Sequence, residues 1–243
     1  MSLKDIKGTY DAIFSLGDLC LASIQLRKNN LRPFAGPLDW MSSPSLSSVN
    51  RLLENRFEGF MELSNLNPTA YSTGVDSADP YLVVVDEAYQ IVSSHDFKAD
   101  ENTLTHLVTY PEVKNKLNKR IQRFLEKMST SQRILFVRTE ATFSEVLELE
   151  SILSNMVKKE FHILVVNHSN INDMVEKSWP LKRVTVLEFP NNEIWNGNDN
   201  YWKSVLDEVS LYTKDVDNTN DTNILRWWKY EFERFKRYLR RYF

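Results

Sequence analysis

The sequence predicts an α/β protein of three layers, a mostly parallel sheet flanked by helices, with an amphipathic helix added at the C-terminus. Three observations predict it. Arg133–Arg138 (RILFVR) and Phe161–Val166 (FHILVV) are short, continuously apolar runs, as expected of strands buried on both faces of a parallel sheet. Amphipathic segments with helical spacing stand between such runs, the pattern of strand–helix–strand crossovers. At 243 residues, 42% hydrophobic and 12% aromatic, the chain can bury a sizeable core.

The elements follow in order. The apolar run Asp11–Leu16 is a strand, Gly17-Asp18 a tight turn, and Leu19 to Lys28 an amphipathic helix. Leu31–Trp40 is interrupted by prolines and reads as loop. Ser45, or Ser43 before Pro44, caps the next helix, whose Leu46, Val49, Leu52 and Leu53 recur at helical spacing up to about Phe57. Glu62–Pro80 is rich in Ser, Asn, Thr, Asp and Pro and reads as a long irregular excursion. Tyr81–Asp86 and Ala88–Ser93 form either a hairpin or one broken strand. Pro111–Met128 is a helix with Val113, Leu117, Ile121, Phe124, Leu125 and Met128 on its apolar face. After the Arg133 strand comes a helix over Ser144–Lys159, with Ser144 as its cap. Val184–Phe189 is a further strand beyond Phe161–Val166, and Tyr201–Tyr212 a further helix.

Composition narrows the function. The single cysteine, Cys20, excludes an intramolecular disulfide framework and a Cys-rich zinc site, and suits a reducing compartment. With six glycines and neither GxGxxG nor GxxxxGK[ST], a nucleotide-binding Rossmann site is disfavoured. No cofactor and no metal are expected. The N-terminus shows no signal peptide, and no apolar run approaches the roughly 20 residues of a membrane span. A cytoplasmic protein is expected. Ile224–Phe243 carries seven Lys/Arg against two Glu, a net +5, so a whole-chain charge of −3 leaves −8 on the preceding residues. An acidic body argues against a general nucleic-acid binder.

In open α/β sheets, ligands bind outside the carboxyl ends of the strands. The first strand delivers Gly17, Asp18 and Cys20 there. The Tyr81–Ser93 region delivers His95 and Asp96, which read equally as ordinary strand-end polar residues with Asp96 capping a following turn, and the Arg133 strand delivers Arg138, Thr139 and Glu140. The Phe161 strand delivers Asn167, His168 and Ser169. Cys20 at a helix start is placed to feel the helix dipole, which favours thiolate, although a free cysteine is also often a buried small hydrophobe. A histidine base would activate it, and a third polar group, Asp96, Glu140 or Asn167, would orient the imidazole. His168 is equally well placed, but in VVNHS it reads as loop surface, and His162 reads as a packed or sheet-face residue. Arg138 closing an apolar strand needs a carboxylate or anion partner, because a buried unpaired charge is costly. Asp39-Trp40 is either a structural turn or part of the pocket wall.

The stretch FSLGDLCLASIQLRKNNLRPFAGPLDWM, with NRFEGFM, SHDF, KRIQRFL and ILFVR after it, resembles a bacterial family of papain-like cysteine peptidases of unknown function. The shared pattern is SLG-x-x-C, a PFDW-like motif with Leu38 in place of Phe, an HDF-like motif and a later FVR. The resemblance implies Cys20 as nucleophile, His95 as its base, and Asp96 or a later polar residue as the orienting group. It also implies an antiparallel sheet following the cysteine helix, whereas the periodicity predicts helices between parallel strands.

The expected organisation is one α/β domain over residues 1–213, a polar linker over 214–223 and a basic aromatic helix over 224–243. Trp227, Trp228, Phe232, Phe235, Arg237 and Arg240 are the residues expected at an anionic membrane surface, with docking on the body or on another subunit as the alternative. Two functions are carried forward. One is a cysteine-dependent hydrolase or acyltransferase acting on a small-molecule, peptide or glycan substrate. Gly17, Asp18, Asp39, Trp40, Arg138, Glu140 and Asn167 would bind that substrate. The other is an α/β module that binds or transfers an anionic sugar or phosphate in cell-envelope polymer synthesis, with Cys20 structural.

Overall fold

A computed structural model describes residues 1–72 and 80–212. The expected linker, the basic helix and all six membrane-facing candidates, Trp227 to Arg240, lie outside the described residues.

The central sheet has five strands. Ala12–Ser15 (β2) lies beside Arg133–Thr139 (β7), then Glu160–Ser169 (β8), Val184–Pro190 (β10) and, at the edge, Val175–Lys177 (β9). The first four are parallel and only β9 is antiparallel. Side chains alternate across this sheet, so each strand feeds two cores. Phe14, Phe136, Ile163 and Val186 enter one core with helices Leu46–Glu54 (α2), Tyr110–Thr130 (α3) and Phe143–Met156 (α4). Ile13, Leu135, Val137, Leu164 and Leu187 enter the other with Leu21–Lys28 (α1) and Asp199–Leu206 (α5). These are the three layers expected. The continuous apolarity of β7 and β8 is explained by burial on both faces.

A second sheet lies between the first and second halves of the parallel one in sequence. Met41–Ser42 (β3), Ile91–Ser93 (β6), Tyr81–Asp86 (β5) and Leu66–Ser72 (β4) make it, in that order and antiparallel throughout. Leu82, Val84 and Ile91 pack it onto the core of α2, α3 and α4. Both sequence-based expectations of sheet type are therefore met, by different parts of the chain. Of the two options for Tyr81–Ser93, the hairpin forms, turned at Gln90 with φ +55°.

Several boundaries differ from those expected. Glu62–Pro80 is not wholly irregular: a 3-10 turn at Leu63–Asn65 leads into β4. This strand sits at a sheet edge and is mostly exposed, and its register shifts between Pro68 and Ala70, so Pro68 does not break a central ladder. The cap of α4 is Thr142, not Ser144. Its hydroxyl accepts from Glu145 N while the Glu145 carboxylate accepts from Thr142 N, closing a capping box. The helix expected over Tyr201–Tyr212 runs instead over Asp199–Leu206, and Val209–Leu211 (β11) pairs in parallel with Gly8–Tyr10 (β1) apart from the main sheet.

Candidate functional site

The ends of β2, β7 and β8 lie side by side at the carboxyl edge of the parallel sheet, as the sequence predicts. The Tyr81–Ser93 region, however, is not a strand of that sheet: β5 and β6 belong to the antiparallel one, so His95 and Asp96 are not delivered by a parallel strand. Gly17 follows β2 with φ +86°, and a Cβ there would sit 3.0 Å from Arg138 Nη1 and overlap Ser43 Oγ. Only glycine fits, both for its conformation and for its closeness to Arg138.

Arg138 is fully buried. Its Nη1 donates to Leu16 O at 2.9 Å and Ser43 Oγ at 2.8 Å, its Nη2 to Ser43 O at 2.7 Å and its Nε to Glu140 O at 3.2 Å. Asp18 Oδ1 stands 4.0 Å from Nη2. Burial pulls the guanidinium down to about 10, with the Asp18 charge opposing the shift. Arg138 is thus a clamp joining β2, β7 and the Ser43 turn, and its donors are given to protein oxygens instead of an open anion site. Burial also raises the Asp18 carboxyl to about 6, against the pull of Arg138 and helped by the charge of Glu140. Its backbone N–H donates to Thr139 Oγ1 and its carbonyl accepts from Ser43 N.

Cys20 is the residue preceding α1 rather than one inside its first turn. It is 3% exposed and packs in the core of Ile13, Leu21, Val137 and Val166. Burial pushes its thiol well above the ordinary range, and the neighbouring Asp18 charge adds to this. The helix start that favours thiolate in the sequence is outweighed by desolvation here. The Cys20 carbonyl accepts from Ile24 N at 2.9 Å. Ser23 Oγ lies 3.0 Å from that carbonyl and 2.8 Å from Asp39 O, tying α1 to the loop before β3. Asp39 is buried, with its carboxylate on Arg32 Nε at 2.5 Å and Gly36 N at 2.7 Å. That carboxylate braces its own loop.

Trp40 connects this loop to His95. It packs against the Cys20 core, lies under the Arg32 guanidinium at 5.4 Å, and meets the His95 ring edge-on at 6.0 Å between centroids. Pairing of Met41 with Ser93 sets the two rings together. His95 also meets Tyr81 edge-on at 6.2 Å. Asp96 Oδ2 accepts from Ser93 Oγ at 2.6 Å.

Glu140 and His168 form a pair whose mutual contact the sequence reading does not anticipate. The expectation that His168 is loop surface is corrected: its side chain is 4% exposed. Its Nδ1 is 2.5 Å from Glu140 Oε1, and its backbone N–H donates to the same carboxylate at 3.2 Å. Counting alternation onward from Leu164 and Val166 would have placed it inward, because β8 runs on to Ser169. Asn167, one residue earlier, holds both backbone groups of Ala141 at 2.9 Å each.

Among the described residues, no group of three or more His, Cys, Asp or Glu side chains is placed to hold a metal ion. Among them, too, no helix is long and apolar enough to cross a membrane.

"Uncharacterized protein R408" of Acanthamoeba polyphaga mimivirus is 27% identical over 221 residues, spanning 81% of this chain and 97% of its own. That relative is viral, so it gives no support to the bacterial source suggested by the sequence motifs. No solved structure matches the chain significantly. Residues 11–171 match one family throughout, from β2 past the end of β8, and the chain belongs to that family, described as "Putative papain-like cysteine peptidase (DUF1796)".

Proposed function

We propose that the protein is a cysteine-dependent hydrolase or acyltransferase in which Cys20 attacks a carbonyl and His95 accepts its proton. The observation that carries this reading is the chain of contacts from Cys20 to His95. Ser23 ties the Cys20 carbonyl to the Asp39 carbonyl, and the next residue, Trp40, rests its ring against His95. Family membership supports it. In the free protein burial keeps Cys20 as a thiol. Proton transfer to His95 therefore accompanies attack on the carbonyl rather than preceding it as a resting ion pair. The N–H groups of Leu19 and Cys20 hold the oxyanion, since those of Gly17 and Asp18 are given to Ser15 Oγ and Thr139 Oγ1. Asp96, fixed by Ser93, orients His95.

An activated ester such as p-nitrophenyl acetate tests this. Acetylation of the Cys20 peptide, seen by mass spectrometry, should be lost in Cys20→Ala and slowed in His95→Ala. No acetylation of the folded protein, or equal rates with and without His95, would favour the second reading.

That second reading keeps Cys20 as packing, which its 3% exposure favours. The molecule is then a binding module for an anionic sugar or phosphate of an envelope polymer. Arg138 is poorly suited to that ligand, with its donors already on Leu16, Ser43 and Glu140. For Ile224–Phe243, the proposal from composition is binding at an anionic membrane surface by a cytoplasmic protein. Sedimentation with anionic vesicles should be lost on deleting those residues; unchanged sedimentation would refute it.

A further inference from the structure

We propose that Glu140, His168 and Asp18 form a binding site for a protonated primary amine, at the carboxyl edge of the parallel sheet. The site lies on the sheet face that carries Cys20. Leu164 and Val166 point into the Cys20 core, and His168, two residues on, meets Phe189 of that core edge-on at 6.2 Å. Asp18 and Glu140 follow β2 and β7, and His168 is the penultimate residue of the neighbouring strand β8.

The Glu140 contact selects one tautomer of the imidazole. A carboxylate can only accept, so the Glu140 contact at 2.5 Å fixes the proton of a neutral His168 on Nδ1. Nε2 is then an acceptor. It is buried and has no hydrogen-bond partner. A buried polar atom left in this way destabilises the free protein, and it marks a place where an incoming donor is stabilised. Meanwhile the side chain around it is 4% exposed, so the lone pair is aimed into the protein and not at bulk water.

The surroundings keep the pair in register. Glu140 has φ +52°, a left-handed conformation rare for residues with a side chain, and its N–H donates to Val166 O at 3.2 Å. Asn167 locks the next residue, Ala141, through both of its backbone groups. The carboxylate is thereby swung from β7 onto the end of β8.

Charge selects the ligand. Asp18 adjoins the pair through the end of β7: its N–H donates to Thr139 Oγ1, beside Glu140, and its carboxylate stands 4.0 Å from the same Arg138 whose Nε donates to Glu140 O. With both carboxylates ionised and the guanidinium charged, the cluster carries a net −1. An alkylammonium neutralises it and supplies N–H donors to the acceptors present, Nε2 and the Asp18 carboxylate. Arg138 gives its hydrogen bonds to Leu16, Ser43 and Glu140 and faces Asp18 only as an ion pair at 4.0 Å. An anion would meet two carboxylates. The site stands independently of the role given to Cys20.

The test uses the full chain labelled with 15N-histidine, whose four histidines are few enough to assign by substitution. Methylammonium is the probe, and tetramethylammonium, a cation with no N–H, the control. Methylammonium should move the His168 Nε2 resonance saturably and tetramethylammonium should not. Asp18→Asn, nearly isosteric, should weaken the effect about tenfold, the loss expected of a hydrogen bond to a charged group. Running the titration on Cys20→Ala as well separates this site from the nucleophile: the response should persist. An Nε2 resonance that ignores methylammonium, moves equally with both cations, or shows a bound proton at neutral pH overturns the proposal.

Discussion

Arg138 and Ser43 meet twice, guanidinium to hydroxyl at 2.8 Å and guanidinium to carbonyl at 2.7 Å. The strand end and the turn before α2 are thereby joined by a buried charge with no exposure to water. Arg138→Met should destabilise the fold by about 3–5 kcal/mol, because it strips donors from three carbonyls and leaves Asp18 without its counter-charge. Ser43→Ala should cost about 1–3 kcal/mol. Urea unfolding measures both; a loss under about 1 kcal/mol for Arg138→Met would mean the clamp is not structural.

Gly17→Ala places a methyl group against Arg138 Nη1 and Ser43 Oγ at a φ of +86°. The left-handed conformation costs about 1–2 kcal/mol and the overlap about 1–3 kcal/mol more. Thermal unfolding should show a clear fall in Tm. An unchanged Tm would show that the turn relaxes freely.

Asp18 makes stability depend on pH. Its carboxyl rises from 3.8 to about 6 on folding, chiefly through burial, so the folded state binds its proton more tightly than the unfolded state. The stabilisation is complete below the unfolded value and is lost as pH rises to about 6. Its full size is about 3 kcal/mol. Asp18→Asn should remove this slope, so the stability difference between variant and wild type should grow from about pH 4 to about pH 6. Parallel stability curves across that range would contradict the assignment.

Asp39→Ala removes the carboxylate that binds Arg32 at 2.5 Å and Gly36 N at 2.7 Å. With Arg32 only 10% exposed, an unpaired guanidinium costs about 3 kcal/mol or more. The loop should loosen around Trp40, which lies under Arg32, and tryptophan emission should shift to the red. Emission and stability both like those of wild type would show that the loop is braced by other contacts.

The parallel core was legible in the sequence because burial on both faces leaves β7 and β8 with little room for polar residues. The antiparallel edge was not. Strand β4 is exposed at most positions and carries Pro68, so composition alone makes it look like loop. Strands β9 and β11 have three residues each, too short for any period to show. Strand ends were read well enough to bring Asp18, Arg138, Glu140 and Asn167 to one edge. Their partners were not readable: the oxygens that satisfy Arg138 belong to Leu16, Ser43 and Glu140, and two of those lie far away in sequence. Cys20 shows the same limit. A helix start is a local feature, whereas the desolvation that decides its thiol comes from Val137, Val166 and other distant residues.

Ser23 has one hydroxyl proton and two carbonyls within reach, those of Cys20 and Asp39. The Cys20 carbonyl has a second donor in Ile24 N, so it remains satisfied when the proton turns to Asp39. Lifting the Trp40 loop away from α1 therefore breaks one hydrogen bond there, about 1 kcal/mol, and leaves the helix intact. The Arg32–Asp39 brace travels with the loop, since both partners belong to it. The helix and the Asp39 carbonyl are thus joined by a single shared proton, while Trp40 is held by the Cys20 core and by His95.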